Sequence, residues 1–102
     1  MAITSNPTIQ NGAVSNGNGT HSFLNITSAT AIKSTAGRIC AVNITVADGA
    51  VYIYDAATTG GAGDANKVAI LPDALGNYRL DFPCANGIVI DPNGSTISVS
   101  FN

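Results

Sequence analysis

The sequence predicts an all-β protein: an antiparallel β-sandwich, jelly-roll or Ig-like, of seven to eight strands, with an extended N-terminal arm. Three observations predict it. The composition is rich in Thr, Ser, Asn, Gly, Val and Ile, lacks Glu altogether, and holds few of the Lys, Arg, Leu and Met residues that favour helix. Short runs of alternating apolar and polar residues recur with turn residues about every 8–12 positions, the spacing of a sandwich. The third observation is Arg38–Asp55, R-I-C-A-V-N-I-T-V-A-D-G-A-V-Y-I-Y-D, where two β-branched runs flank Asp48-Gly49.

Residues 1–21 read as the arm. They are Asn- and Gly-rich, carry no charged side chain, and offer only scattered apolar anchors at Ile3, Ile9 and Val14, with Pro7 between. Such a segment is ordered only where something holds it, either its own sheet or a neighbouring subunit. Its end, His21, is the chain's one histidine, which reads as a surface residue and excludes any metal site needing two. The N-terminus lacks the basic region and apolar core of a secretory signal peptide.

Residues 22–102 read as the sandwich. Ser22–Thr27 alternates with Leu24 and Ile26 on one face, Phe23 breaking the pattern, and 29–34 continues as a short strand. Asp-Gly suits a two-residue type I′ hairpin, in which Val46 meets Val51 and Ile44 meets Ile53. That register puts Cys40, Val42, Ile44, Val46, Val51 and Ile53 on a core face, and Asn43, Thr45, Tyr52 and Tyr54 together on the other. Residues 56–66 form a loop of small residues. Lys67–Leu71 is a strand stopped by Pro72. In Asn77–Phe82, Tyr78, Leu80 and Phe82 point one way, Arg79 and Asp81 the other, and Pro83 ends the strand. Gly87–Asp91 is short and apolar, Pro92-Asn93-Gly94 turns the chain, and Thr96–Phe101 points Ile97, Val99 and Phe101 inward.

The chain's 102 residues make one domain. Charged residues are 10% of it, against roughly 25% in a typical soluble domain. The net charge of -2, with no basic stripe, argues against a nucleic-acid partner. No run approaches the roughly 20 apolar residues of a membrane-spanning helix. A surface of Thr, Ser, Asn and Ala suits cover by other protein. Cys40 and Cys84 read as two buried thiols rather than a disulfide, and the Asn-x-Ser/Thr triplets at Asn18, Asn25, Asn43 and Asn93 as composition rather than glycosylation.

Chemistry is sparse. The six acids are all Asp, and Asp48, Asp55, Asp73 and Asp91 sit at expected turns or strand ends, where they bond local backbone. Asp55, Asp64 and Asn66 with the Gly60–Gly63 carbonyls make a candidate Ca²⁺ loop, but the spacing is not that of an EF-hand, and an ordinary glycine loop is the simpler reading. Neither a phosphate loop nor a nucleophile motif is present. No cofactor and no enzymatic activity are expected. A carbohydrate-binding module, with Tyr52 and Tyr54 as a stacking platform, is the main alternative to burial of those rings under a protein partner.

The order of elements then resembles a known group. A Gly/Asn/Thr-rich arm, V-Y-I-Y-D-A, a Gly-rich loop, I-L-P, D-F-P, G-I-V-I and a terminal T-I-S-V-S-F resemble the small β-sandwich capsid decoration (cement) proteins of tailed bacteriophages, over roughly residues 30–102. The resemblance implies a structural virion protein on the capsid surface, present as homodimers or homotrimers, that braces neighbouring capsomers through contact with the major capsid protein. It implies no enzyme activity and no cofactor. On this reading Ile3, Pro7, Ile9 and Val14 anchor the arm in partner grooves, and Tyr52 and Tyr54 contact a partner. A head-fibre or tail adaptor is a further alternative.

Overall fold

The structure, a computed structural model, describes residues 19–102. The eight strands are β1 (His21–Ile26), β2 (Thr30–Lys33), β3 (Gly37–Val46), β4 (Val51–Tyr54), β5 (Lys67–Leu71), β6 (Gly76–Cys84), β7 (Ile88–Asp91) and β8 (Thr96–Phe101). They form two four-stranded antiparallel sheets, β1-β8-β3-β6 and β2-β7-β4-β5. The pairs β1–β8, β2–β7, β3–β6 and β4–β5 nest one inside another. The chain is thus one long antiparallel ribbon rolled into two layers, the jelly-roll arrangement rather than the Ig-like one.

The expected Arg38–Asp55 hairpin does not form. β3 and β4 lie in different sheets, so Ile44 pairs with Ile97 and Gly76, Val46 with Thr96, and Val51 with Leu71. Asp48-Gly49 is a crossover between layers. Its backbone packs on the Pro92–Ser95 turn, where Ser95 donates to the Pro92 carbonyl at 3.0 Å and Asn93 and Gly94 have φ of 52° and 98°. A Cβ at Gly49 would run into the Asn93 carbonyl, and one at Gly94 would lie 2.7 Å from the Asp48 carbonyl oxygen. The buried Ser95 hydroxyl accepts from the Asp48 N–H at 2.9 Å and donates to the Gly49 carbonyl at 2.8 Å. Asp-Gly is therefore selected here for close backbone approach, not for a hairpin.

The core lies between the layers, where Val42, Ile44, Val51, Ile53, Ile88, Ile90, Ile97 and Val99 are buried with Ile26, Ile39, Leu71 and Cys84. Val46 is not among them; at the end of β3 it is 52% exposed. Two irregularities, one in β1 and one between β3 and β6, break the simple alternation. In β1 the register slips between Phe23 and Ile26, with Asn25 at φ 55°, so Leu24 faces out while Ile26 enters the core. Between β3 and β6 it slips at Ile39/Ala41, with Asp81 at φ 50°. Beyond that slip Phe82 is exposed, although Tyr78 and Leu80 pack on the core as expected. Cys40 sits at the same slip, buried but outside the core cluster. Asn and Asp tolerate the left-handed region better than other non-glycine residues, which is why these two positions absorb the extra residue. Pro83 does not end β6, which runs to Cys84. A proline is admissible because β6 is an edge strand with one side unpaired.

The other elements follow the sequence reading. β8 has the expected bounds, β5 ends before Pro72, and β7 is buried along Ile88-Val89-Ile90 because it is central in its sheet. His21, expected at the end of the arm, is the first residue of β1; it pairs with Phe101 and its ring stacks on that side chain at 5.5 Å.

Candidate functional site

Four of the acids, Asp55, Asp64, Asp81 and Asp91, are held by hydrogen bonds or ion pairs. The Asp55 carboxylate accepts the N–H groups of Ala85, Asn86 and Gly87 at 3.0, 2.8 and 3.3 Å, and so ties the end of β4 to the β6–β7 connection. The Asn86 N–H holds the Asp55 carboxyl below its ordinary value, partial burial opposes it, and the other two N–H groups add to the depression. Asp64 pairs with Lys67 at 3.0 Å. Asn66 accepts the Gly63 N–H and donates to the Gly61 carbonyl, both at 2.9 Å. The three side chains of the candidate Ca²⁺ loop thus point to separate local partners. The loop itself is built from two 3₁₀ turns, Thr59–Gly61 and Asp64–Asn66. Asp91 accepts the Asn93 N–H at 3.0 Å, as expected of a turn residue. Asp81 lies between Arg38 at 3.0 Å and Arg79 at 3.6 Å on the outer side of β6. No group of three His, Cys, Asp or Glu side chains suited to a metal ion occurs among the described residues.

Cys40 and Cys84 are free thiols and both are buried. Burial pushes the Cys84 thiol up to about 11, with the Asp55 charge adding to it. Burial also raises the Cys40 thiol, with Arg38 and Arg79 opposing and Asp81 adding.

Two outer surfaces remain, one on each sheet, and the expected platform is divided between them. Tyr52 and Tyr54 lie on the second sheet, half-buried, with the Lys67 ammonium 4.8 Å from the Tyr52 ring centre and 6.0 Å from that of Tyr54. This is a cation–π arrangement that covers ring surface a sugar would need. The Asp64 hydrogen bond is the largest of the effects that raise the Lys67 ammonium's pKa. Beside Tyr52 in the register is Ile70, 58% exposed. Asn43 and Thr45 are not neighbours of these rings. They lie on the first sheet, where Asn43 accepts from the Asn77 amide at 2.6 Å and the Thr45 hydroxyl donates to the Thr96 carbonyl at 3.2 Å.

The first sheet carries a shallow groove of about 120 Å³. Ser22 and Leu24 of β1, Ser98, Val99 and Ser100 of β8, Ala41 and Asn43 of β3, and Asn77 of β6 line it. None of these side chains is charged. The groove was not legible in the sequence, because β1, β8, β3 and β6 come together only through long-range pairing. The signal available was the Ser/Thr alternation on the outer side of β8. Ile3, Pro7, Ile9 and Val14 lie outside the described residues. The chain matches no known family, no characterised protein and no solved structure.

Proposed function

We propose that this protein is a structural component of a phage virion, attached to the capsid exterior, where it cements neighbouring capsomers. The observation that supports this most is the outer surface of β1-β8-β3. Its groove is lined with uncharged side chains, mostly Ser, Asn and Ala, leaves Leu24 63% exposed, and has the ion pair of Arg38 with Asp81 outside the lining. Such a surface has little to repel a protein partner and few ions to desolvate on contact. Asp55, Asp64, Asp81 and Asp91 are each engaged in hydrogen bonds or ion pairs that hold the fold, which favours an assembly role over a catalytic one. In this reading the major capsid protein and further copies of this chain, as homodimer or homotrimer, are the partners. Contacts of modest area, roughly 800 Å² per partner, suffice because many copies act together on one shell.

Co-sedimentation with purified capsids tests the proposal. The protein is expected to pellet with shells at a fixed stoichiometry of many copies and to raise their resistance to heat. A few copies per particle would instead identify a head-fibre or tail adaptor. Binding on a glycan array that disappears in Tyr52→Ala, with no shell binding, would replace the proposal by the carbohydrate reading.

A further inference from the structure

Cys40 is covered by a piece of chain far from it in sequence. Its thiol is fully buried yet lies outside the core cluster, on the outer side of the sheet in the field of Arg38, Arg79 and Asp81. Gly19 lies over it. A Cβ at that residue would sit 3.3 Å from the Cys40 sulfur and 2.9 Å from the Phe101 backbone nitrogen, and its φ is +87°, so only glycine lets the backbone come this close. Thr20 fastens the crossing. Its N–H donates to the Phe101 carbonyl at 3.1 Å and to the Asn102 Oδ1 at 2.9 Å. Its hydroxyl donates to the same Oδ1 at 3.0 Å, which makes the His21 Nδ1 the donor in its 3.0 Å contact with that hydroxyl. Asn102 is itself fixed. Its N–H donates to the Arg38 carbonyl at 2.9 Å, and its carbonyl accepts from the Arg38 N–H at 3.3 Å and the Lys33 ammonium at 3.2 Å.

We propose that Gly19-Thr20 is a releasable strap that gates the Cys40 thiol, with the Asn102 side chain as its catch. The bonds from Thr20 to Asn102 and His21 are exposed, and they precede the β1–β8 ladder, which starts where His21 pairs with Phe101. The strap therefore lifts while the sandwich stays closed, because an opening that breaks a few exposed bonds lies at the low end of the range for local unfolding. Lifting also changes the thiol. Burial is the largest effect raising the Cys40 pKa, and the Arg38 guanidinium is the next, lowering it. Exposure removes the first and leaves the second, which favours the thiolate, the form that attacks a disulfide. Cys84 is the internal contrast: it belongs to the core cluster and answers only to a wider opening. The strap works in the free protein, whether or not the capsid reading holds.

Thiol–disulfide exchange on the whole chain tests this, with a bulky aromatic disulfide as probe and peptide mass spectrometry to tell Cys40 from Cys84. Asn102→Ala removes the catch, and Gly19→Ala lifts the strap by steric contact. Each is expected to speed labelling of Cys40 about tenfold or more, while Cys84 stays as slow as in the wild-type chain. Thr20→Ser keeps the hydroxyl and is expected to label like the wild type. Cys40 labelling unchanged in either of the first two variants overturns the proposal, because another part of the protein then covers the thiol. Equal acceleration of both cysteines also overturns it, because the fold rather than the strap has then opened.

Discussion

The two outer faces of the sandwich are built on the same pleat and end in opposite conditions. On the β2-β7-β4-β5 face, Val89 is 1% exposed although it lies outside the core cluster, flanked in the register by Ala31 and Tyr54. The tyrosines and Lys67 clothe that sheet with the protein's own side chains. On the β1-β8-β3-β6 face the long Arg38 and Arg79 side chains pair with Asp81 away from the groove, whose lining is mostly Ser, Ala and Asn, too short to cover it. Side-chain length is thus what separates a finished surface from an open one, and the open one is the better seat for another segment of protein.

The largest test of this contrast is to place the same charge on each face. Val89→Asp puts an unpaired carboxylate in a covered site and is expected to cost about 4 kcal/mol or more in urea unfolding. Ser100→Asp on the open face should stay within about 0.5 kcal/mol. Equal losses would mean that both faces are covered alike.

Next in size is the stitch between the layers. Asp55→Ala leaves the N–H groups of Ala85, Asn86 and Gly87 without their acceptor, and Gly87 is buried. A loss of about 1–3 kcal/mol is expected at pH 7. The sign of the pH dependence follows from the depressed carboxyl. Its contribution is present above the ordinary value of 3.8 and disappears as pH falls through the lower folded value. Acid titration of stability should show this step in the wild-type chain and lack it in Asp55→Ala.

A smaller effect is expected at Lys67→Ala, under about 1 kcal/mol, since the ion pair with Asp64 is exposed and the ring contacts lie at the surface. Its use is diagnostic. If the ammonium shields the rings, sugar binding appears only in Lys67→Ala; sugar binding in the wild-type chain would show that the second face is not finished after all. The smallest perturbation is a thiol count. Neither cysteine should react with a bulky disulfide reagent in the native protein, and both should react on unfolding.

Strand placement was largely legible, because β-branched runs, Pro72 and Pro92-Asn93-Gly94 each act locally. Pairing was not. Asp48-Gly49 satisfies the chemistry of a hairpin and of an inter-sheet crossover equally, and what decides between them is Gly94 and Ser95, more than forty residues away. The slips at Asn25 and Asp81 changed which side Leu24 and Phe82 face, and a single Asn or Asp inside an alternating run is only a faint sign of one. The groove inherits both difficulties, since it depends on pairing and on the outward turn of Leu24.

The nested pairing has a consequence in time. Only β4–β5 joins strands close in sequence; each further pair encloses a longer stretch of chain, and β1–β8 encloses nearly all of it. Closing such loops before their contacts form slows folding toward the millisecond-to-second range of β-rich domains. Assembly that starts at β4–β5 and zips outward sets β1 against β8 last. The groove, which needs β1, β8 and β3 together, is then absent from every partly folded chain, so any contact made there is open only to the fully folded protein. Pulsed hydrogen exchange should find the β4–β5 amides protected before those of β1, and reversal of that order would show that the outermost pair does not close last.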